Sequence, residues 1–209
     1  MQKLPPPGVC EKCRPPQHFD PFCDRLARDI RNGLSIAFIE SLKHRDPEYL
    51  AAESRRWLSA QPAAAYRGYI ASRHRHLRRL LIRYQDSWST DPLVQTVWLW
   101  NAGLFFEVHE ILEDHWHCMT GQRRDAFKAL IQAAGVYVHW QAGRRLAAES
   151  LADRAVVRLR ASSRHLAPIA NIDALVDRLA RRDFQLLKLE LARPAAGSDR
   201  QVNPLKRSP

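Results

Sequence analysis

The sequence predicts an all-α protein, a compact bundle-like array of helices carrying a helical N-terminal extension. Two patterns support this fold class. Apolar residues recur at spacings of three and four along most of the chain, while no persistent run alternates apolar and polar residues at period two. Glycine is scarce, at 8 of 209 residues, and alanine, leucine and arginine, all good helix formers, are abundant. An apolar content of 45% is enough for one substantial core.

Residues 1–21 carry Pro5, Pro6, Pro7, Pro15, Pro16 and Pro21, too many for a helix, and are expected to form an arm or clamped loop. Within it the spacing Cys10-x2-Cys13-x4-His18-x4-Cys23 resembles a CCHC zinc knuckle, four ligands of the type that zinc takes in a tetrahedral structural site. Prolines stand where a knuckle uses glycines for its turns. The competing expectation is a reduced, metal-free arm with Cys23 on the first turn of a helix as a small core residue.

Residues 22–84 form the expected extension. Phe22, Leu26 and Ile30 mark one helix face, Gly33 interrupts it, and Leu34, Ala37, Phe38 and Leu42 mark a second short segment. Asp46-Pro47-Glu48 reads as a cap followed by proline at the first helical position, opening a helix through Trp57 and Leu58. The next helix starts near Pro62, with Tyr66, Tyr69, Ile70, Leu77, Leu80, Leu81 and Tyr84 on its apolar side. Its remaining surface is Arg67, Arg73, Arg75, Arg78, Arg79 and Arg83.

Asp91-Pro92 signals another helix start and opens a second unit, 91–189. Its helices are expected over 92–101, 103–118, 123–141 and 144–160, with a weaker one over 171–189. Residues 194–209 have no apolar pattern and read as a disordered tail.

The formal net charge is +11. Such a field favours polyanions or acidic proteins as partners, and the basic 67–83 helix, with Arg75, Arg78 and Arg79, is the nucleic-acid candidate; a solvated or internally paired arginine face is the alternative. No stretch is apolar for long enough to span a membrane, and the start Met1-Gln-Lys-Leu-Pro lacks the apolar core of a secretory signal, so a cytoplasmic location is expected. Four cysteines, three of them by residue 23, do not form a disulfide framework. Aromatics on short helices make a homodimer plausible.

The functional signal is polar residues set into two apolar helical patterns. On the first, Phe105, His109, Leu112, Glu113 and Trp116 share a face, with Phe106 and Glu110 on the adjacent stripe; on the second, Gln132, Gly135 and His139 line up. If the helices form an antiparallel hairpin through Thr120-Gly121, then His109, Glu113, Gln132 and His139 surround one point.

The combination Asn101, Gly103, Phe105-Phe106-Glu107, His109-Glu110, Glu113 and Trp116, followed by Leu130-Ile131-Gln132-Ala133-Ala134 and His139, resembles the DUF309 family, small all-helical bacterial and archaeal proteins of unassigned function. The resemblance spans approximately Asp91 to Leu159. It implies a fold and a set of polar positions, not a reaction. Trp140-Gln141-Ala142-Gly143-Arg144 stands where the family usually carries an asparagine, and Ala129 replaces a usual glycine.

Three readings of the cluster remain open. One is a buried hydrogen-bond network that fixes helix register, with Trp116 shielding it and donating its indole N–H; another is a site for a small anion or metal. The third is a metal-dependent hydrolase in which His109, Glu113 and His139 hold zinc or iron and Glu110, as the catalytic residue, polarises water. His115, His117 and Cys118 fall near a helix end, where surface capping accounts for them.

Overall fold

The computed structural model describes residues 18–192. Residues 1–17 of the proline-rich arm, with Cys10 and Cys13, and the tail from Pro194 lie outside the described residues. Cys23, expected in a helix and buried, is exposed in the turn before the first helix, because Asp24 and not an earlier residue supplies the cap.

Asp24 accepts the backbone N–H of Leu26 at 2.9 Å and opens α1 (Arg25–His44). Gly33 does not break this helix. Glycine mid-helix costs only about 1 kcal/mol, and here it admits the next helix: a Cβ would run into the Glu53 carboxylate and stand 3.1 Å from Trp57 Nε1. The chain leaves α1 through Arg45 in the left-handed conformation. Asp46 then accepts from Glu48 N at 2.9 Å to start α2 (Glu48–Ser59), and α3 (Ala64–Tyr84) returns along α1 and α2.

A 3-10 turn, Gln85–Ser87, leads to α4 (Pro92–Asn101), where Asp91 caps Leu93 N at 2.8 Å and Pro92 takes the first helical position. Gly103, at φ 73°, turns the chain into α5 (Phe105–Trp116). There follow α6 (Gly121–Gln141), α7 (Arg145–Ser162) and α8 (Ile172–Ala180). Helices α5, α6 and α7 pack in sequence, flanked by α4 and α8, and α1 joins α2 and α3 to this group through α5. The core is centred on Trp100, Phe105 and Tyr137, whose ring centroids lie 4.5–5.0 Å apart. The result is an all-α helical bundle; among the described residues the only β-type pairing is an isolated bridge between Ile169 and Leu191.

The expected helix over 171–189 stops at Ala180. Arg182 takes a positive φ of 59°, and residues 184–191 run extended as a strap held by side-chain amides. Asn101 donates to Leu189 O (2.9 Å) and accepts from Leu189 N (2.8 Å), while Asn171 binds Lys188 O and Glu190 N in the same way. Trp100 Nε1 donates to Leu187 O at 2.8 Å. These side chains give the strap the partners that another strand or continued helix would supply.

Candidate functional site: a polar cavity and its charged surroundings

The first polar feature of the interior joins three helices. Glu107 on α5 is fully buried and accepts from Ser35 Oγ on α1 (2.6 Å) and from Arg73 Nη2 on α3 (2.5 Å). Of the arginines on the basic helix, Arg73 is the internally paired one: it lies three residues from Ile70 and four from Leu77, on the apolar stripe, which carries it inward. Desolvation is the largest single influence on Arg73 and pulls its pKa down, but the charge of Glu107, the nearby Tyr69 and the hydrogen bond to Glu107 together outweigh it, so the net shift is upward. Arg67, Arg75, Arg78, Arg79 and Arg83 remain exposed.

Beside this pair lies a cavity of about 340 Å3, lined by His109 from α5, by Gln132 and His139 from α6, and by Phe22, Arg31 and Phe106. The helical repeat puts Gln132, Gly135 and His139 on one line, and Gly135 keeps that line low, since a Cβ there would come within 2.7 Å of Leu151 Cδ2 on α7. His109, Gln132 and His139 thus line one cavity. No hydrogen bond joins them. His109 Nδ1, Gln132 Oε1 and His139 Nδ1 are each buried without a partner.

A second cavity, of about 510 Å3, shares Phe22, Arg31, Phe106 and Val138 with the first, so the two form one cleft. It adds Tyr69, Arg73 and Arg144. The Arg31 guanidinium stacks 3.8 Å above Phe106 and donates to the neutral Asn32 Oδ1, and Arg144 lies 4.6 Å over Phe22. Desolvation lowers the pKa of Arg31, and desolvation together with Arg144 lowers that of His139. A larger groove of about 670 Å3 between α6 and α7 offers less chemistry: its Asp125 and Asp153 are already ion-paired, with Arg158 and Arg182.

Glu113 does not line the cavity. Instead His109 Nδ1 lies 3.3 Å from Glu110 Oε1 and 3.7 Å from Glu113 Oε2, and these three residues form the one compact His/carboxylate cluster of metal-ligand type among the described residues. His139, expected as the third donor of a His109, Glu113, His139 set, stands outside it. Trp116 was expected to donate its indole N–H, yet that group has no acceptor; the ring is covered by Arg124 at 4.2 Å and Lys128 at 5.6 Å. His115 Nδ1 lies 2.9 Å from Ile111 O within its own helix, and Cys118 is exposed. Of the proposed zinc knuckle only His18 and Cys23 fall among the described residues, and both are exposed.

Sequence reasoning missed Glu107, Arg31 and Arg144. The first was legible: Glu107 lies three residues after Leu104 and four before Ile111, both buried, and so on the inward face of α5. Arg31 and Arg144 gave no periodic signal, because their role comes from the packing of Phe22 against His139, with ring centroids 5.0 Å apart.

Comparison with known families bears on this region. Residues 93–151 match the model of a family described as "Domain of unknown function (DUF309)". The chain carries a DUF309 segment. That segment starts within α4, ends within α7 and contains His109, Glu110, Glu113, Trp116, Gln132 and His139. No curated protein and no solved structure matches the chain. Among the described residues no helix is long and apolar enough to cross a membrane.

Proposed function

We propose that this chain is a binding protein for a small anionic ligand, held in the cleft between α5, α6 and the Phe22 turn. The observation that carries the reading is that Gln132 Oε1 and His139 Nδ1 line the same cavity buried and unpartnered; the amide oxygen is an acceptor, so the fitting anion also carries a hydroxyl, as hydrogen phosphate does. A buried donor or acceptor without a partner costs about 1–3 kcal/mol, so residues kept for register alone would be expected to bind each other. Around them stand Arg31, Arg73 and Arg144 with two aromatic faces, Phe22 and Phe106. Among the acidic residues there, Glu107 is engaged by Ser35 and Arg73, Asp20 accepts the backbone N–H of Phe22, and Glu110 acts on Arg31 from the side, so three guanidiniums meet carboxylates that are mostly engaged already. Guanidinium groups recognise carboxylate and phosphate by paired hydrogen bonds, and the aromatic faces suit an apolar body.

The ligand-site and structural-network readings give opposite results for one pair of variants. With inorganic phosphate and benzoate as probes, the wild-type protein is expected to gain thermal stability. Gln132→Leu and His139→Leu should abolish that gain while leaving the ligand-free protein as stable as wild type or more so, because each removes an unsatisfied polar group. Loss of ligand-free stability in both variants, with no probe response in the wild type, would return the cluster to a purely structural role.

A further inference from the structure

The outer face of α3 carries an inference that goes beyond the cleft and shares no residue with it. Helix α3 has six arginines and no Lys, Asp or Glu. Arg73 turns inward to Glu107, and the other five, Arg67, Arg75, Arg78, Arg79 and Arg83, are exposed. Elsewhere the arginines find carboxylates: Arg55 and Arg56 on α2, Arg145 and Arg158 on α7, and Arg178 and Arg182 are all paired. Among the described residues none of the five on α3 forms an ion pair. Their mutual repulsion is left for an outside anion to relieve. The neighbouring imidazoles feel the same field. Burial first, then Arg78 and Arg55, lower the pKa of His74, and burial, Arg73 and Arg79 lower that of His76 against Glu107.

The face is also shaped for a rigid partner. Arg75, Arg79 and Arg83 follow one another at intervals of four, each step rising about 6 Å along the axis, a spacing comparable to that of consecutive phosphates on one strand. Toward the N-terminal end the face is made of Ala64, Gly68, Ala71 and Ser72, all exposed. Gly68 weakens the helix relative to alanine, yet a Cβ there would meet nothing within 4 Å, so no neighbour inside the protein requires it. A smooth surface between Arg67 and Arg75 lets an external backbone come close.

Three kinds of polyanion suit a basic face, and the rest of α3 separates them. Its apolar side, Tyr66, Ile70, Leu77 and Leu81, is packed inside the protein, leaving Ile82 as its one exposed large apolar residue, too little to enter a membrane surface. Protein interfaces centre on buried aromatic anchors and single strands stack their bases on aromatic rings, but no aromatic residue of α3 is exposed. A duplex needs neither, because its phosphates take paired hydrogen bonds from guanidiniums. We propose that Arg67, Arg75, Arg78, Arg79 and Arg83 bind the phosphate backbone of double-stranded nucleic acid without reading its sequence.

The test uses the full chain and a fluorescein-labelled duplex of about 20 base pairs, made as DNA and as RNA, with fluorescence anisotropy read between about 50 and 200 mM salt. For at least one duplex the log–log salt plot should have a slope of about −3.6 to −4.5, corresponding to about four to five phosphate contacts, and the affinity should change little with sequence. Arg75→Glu combined with Arg79→Glu should weaken binding at least about tenfold and flatten the slope by about 2. Arg154→Glu combined with Arg160→Glu, exposed positions on α7 that change the net charge equally, should weaken it less than about threefold. Far-UV circular dichroism checks folding, and Arg75→Gln with Arg79→Gln decides in place of the reversed pair should that pair unfold. Equal weakening by the α3 and α7 pairs would overturn the proposal, as would tighter binding to anionic-lipid vesicles, polyglutamate or single strands than to either duplex. So would the absence of duplex binding at about 100 μM protein and about 100 mM salt.

Discussion

Removing the Arg73 guanidinium is the sharpest perturbation available to the interior. Glu107 is 0% exposed, and its carboxylate is balanced by Arg73 and by the Ser35 hydroxyl; Arg73→Ala leaves a buried charge with a single neutral donor. Breaking a buried pair from one side costs about 3–5 kcal/mol, against about 1 kcal/mol for an exposed pair such as Arg145–Glu149. For a protein of this size each kcal/mol moves the melting temperature by about 2–4 °C, so Arg73→Ala should lower it by about 6–20 °C. The double variant Arg73→Met, Glu107→Leu removes both charges and keeps apolar volume where they stood. It should recover most of the loss, since the penalty lies in the abandoned charge and not in the absent attraction. Urea denaturation followed at 222 nm, with the two single variants completing the cycle, supplies the coupling energy. A loss below about 0.5 kcal/mol for Arg73→Ala, or a double variant no better than the worse single one, would refute the reasoning.

Two further outcomes follow from the described contacts. Burial is the leading cause of the lowered pKa values of His74 and His139, so below the ordinary value of 6.5 the unfolded chain binds more protons at these positions than the folded one. Their contribution is therefore complete above that value and is lost as the pH falls below it; urea midpoints at about pH 7.5 and 5.5 should differ less in His74→Gln and His139→Gln than in wild type. Asn101→Ala strips two hydrogen bonds from Leu189 and should cost about 2–4 kcal/mol. Trypsin should then cut at exposed Lys188 well before it does in wild type, and an unchanged digestion pattern would count against the strap's dependence on Asn101.

Most of the architecture was legible because helices announce themselves locally. Asp91-Pro92 fixes the start of α4, and the three-and-four spacing of Tyr66, Ile70 and Leu77 fixes the inward face of α3. Gly33 misled because propensity knows nothing of a neighbour; its meaning lies in Glu53 and Trp57 on α2. The 181–189 segment misled for a related reason, since its extended form depends on amides 17 and 88 residues away. The same division runs through the site. Helical periodicity places His109, Gln132 and His139 on facing stripes, whereas side-chain direction sends Glu113 to the outer cluster with Glu110 and brings Arg31 and Arg144 to the cleft.

The strap has a consequence for what can fold alone. Trp100, the largest fully buried side chain, has its indole satisfied only by Leu187, and Asn101 only by Leu189. Contacts across 87 and 88 residues enclose α5 to α8 in a single loop, whose closure must await synthesis of its far end. An excised 93–151 fragment would therefore expose the floor of its own core, and the smallest autonomous unit extends past the family-matched segment at least to residue 189.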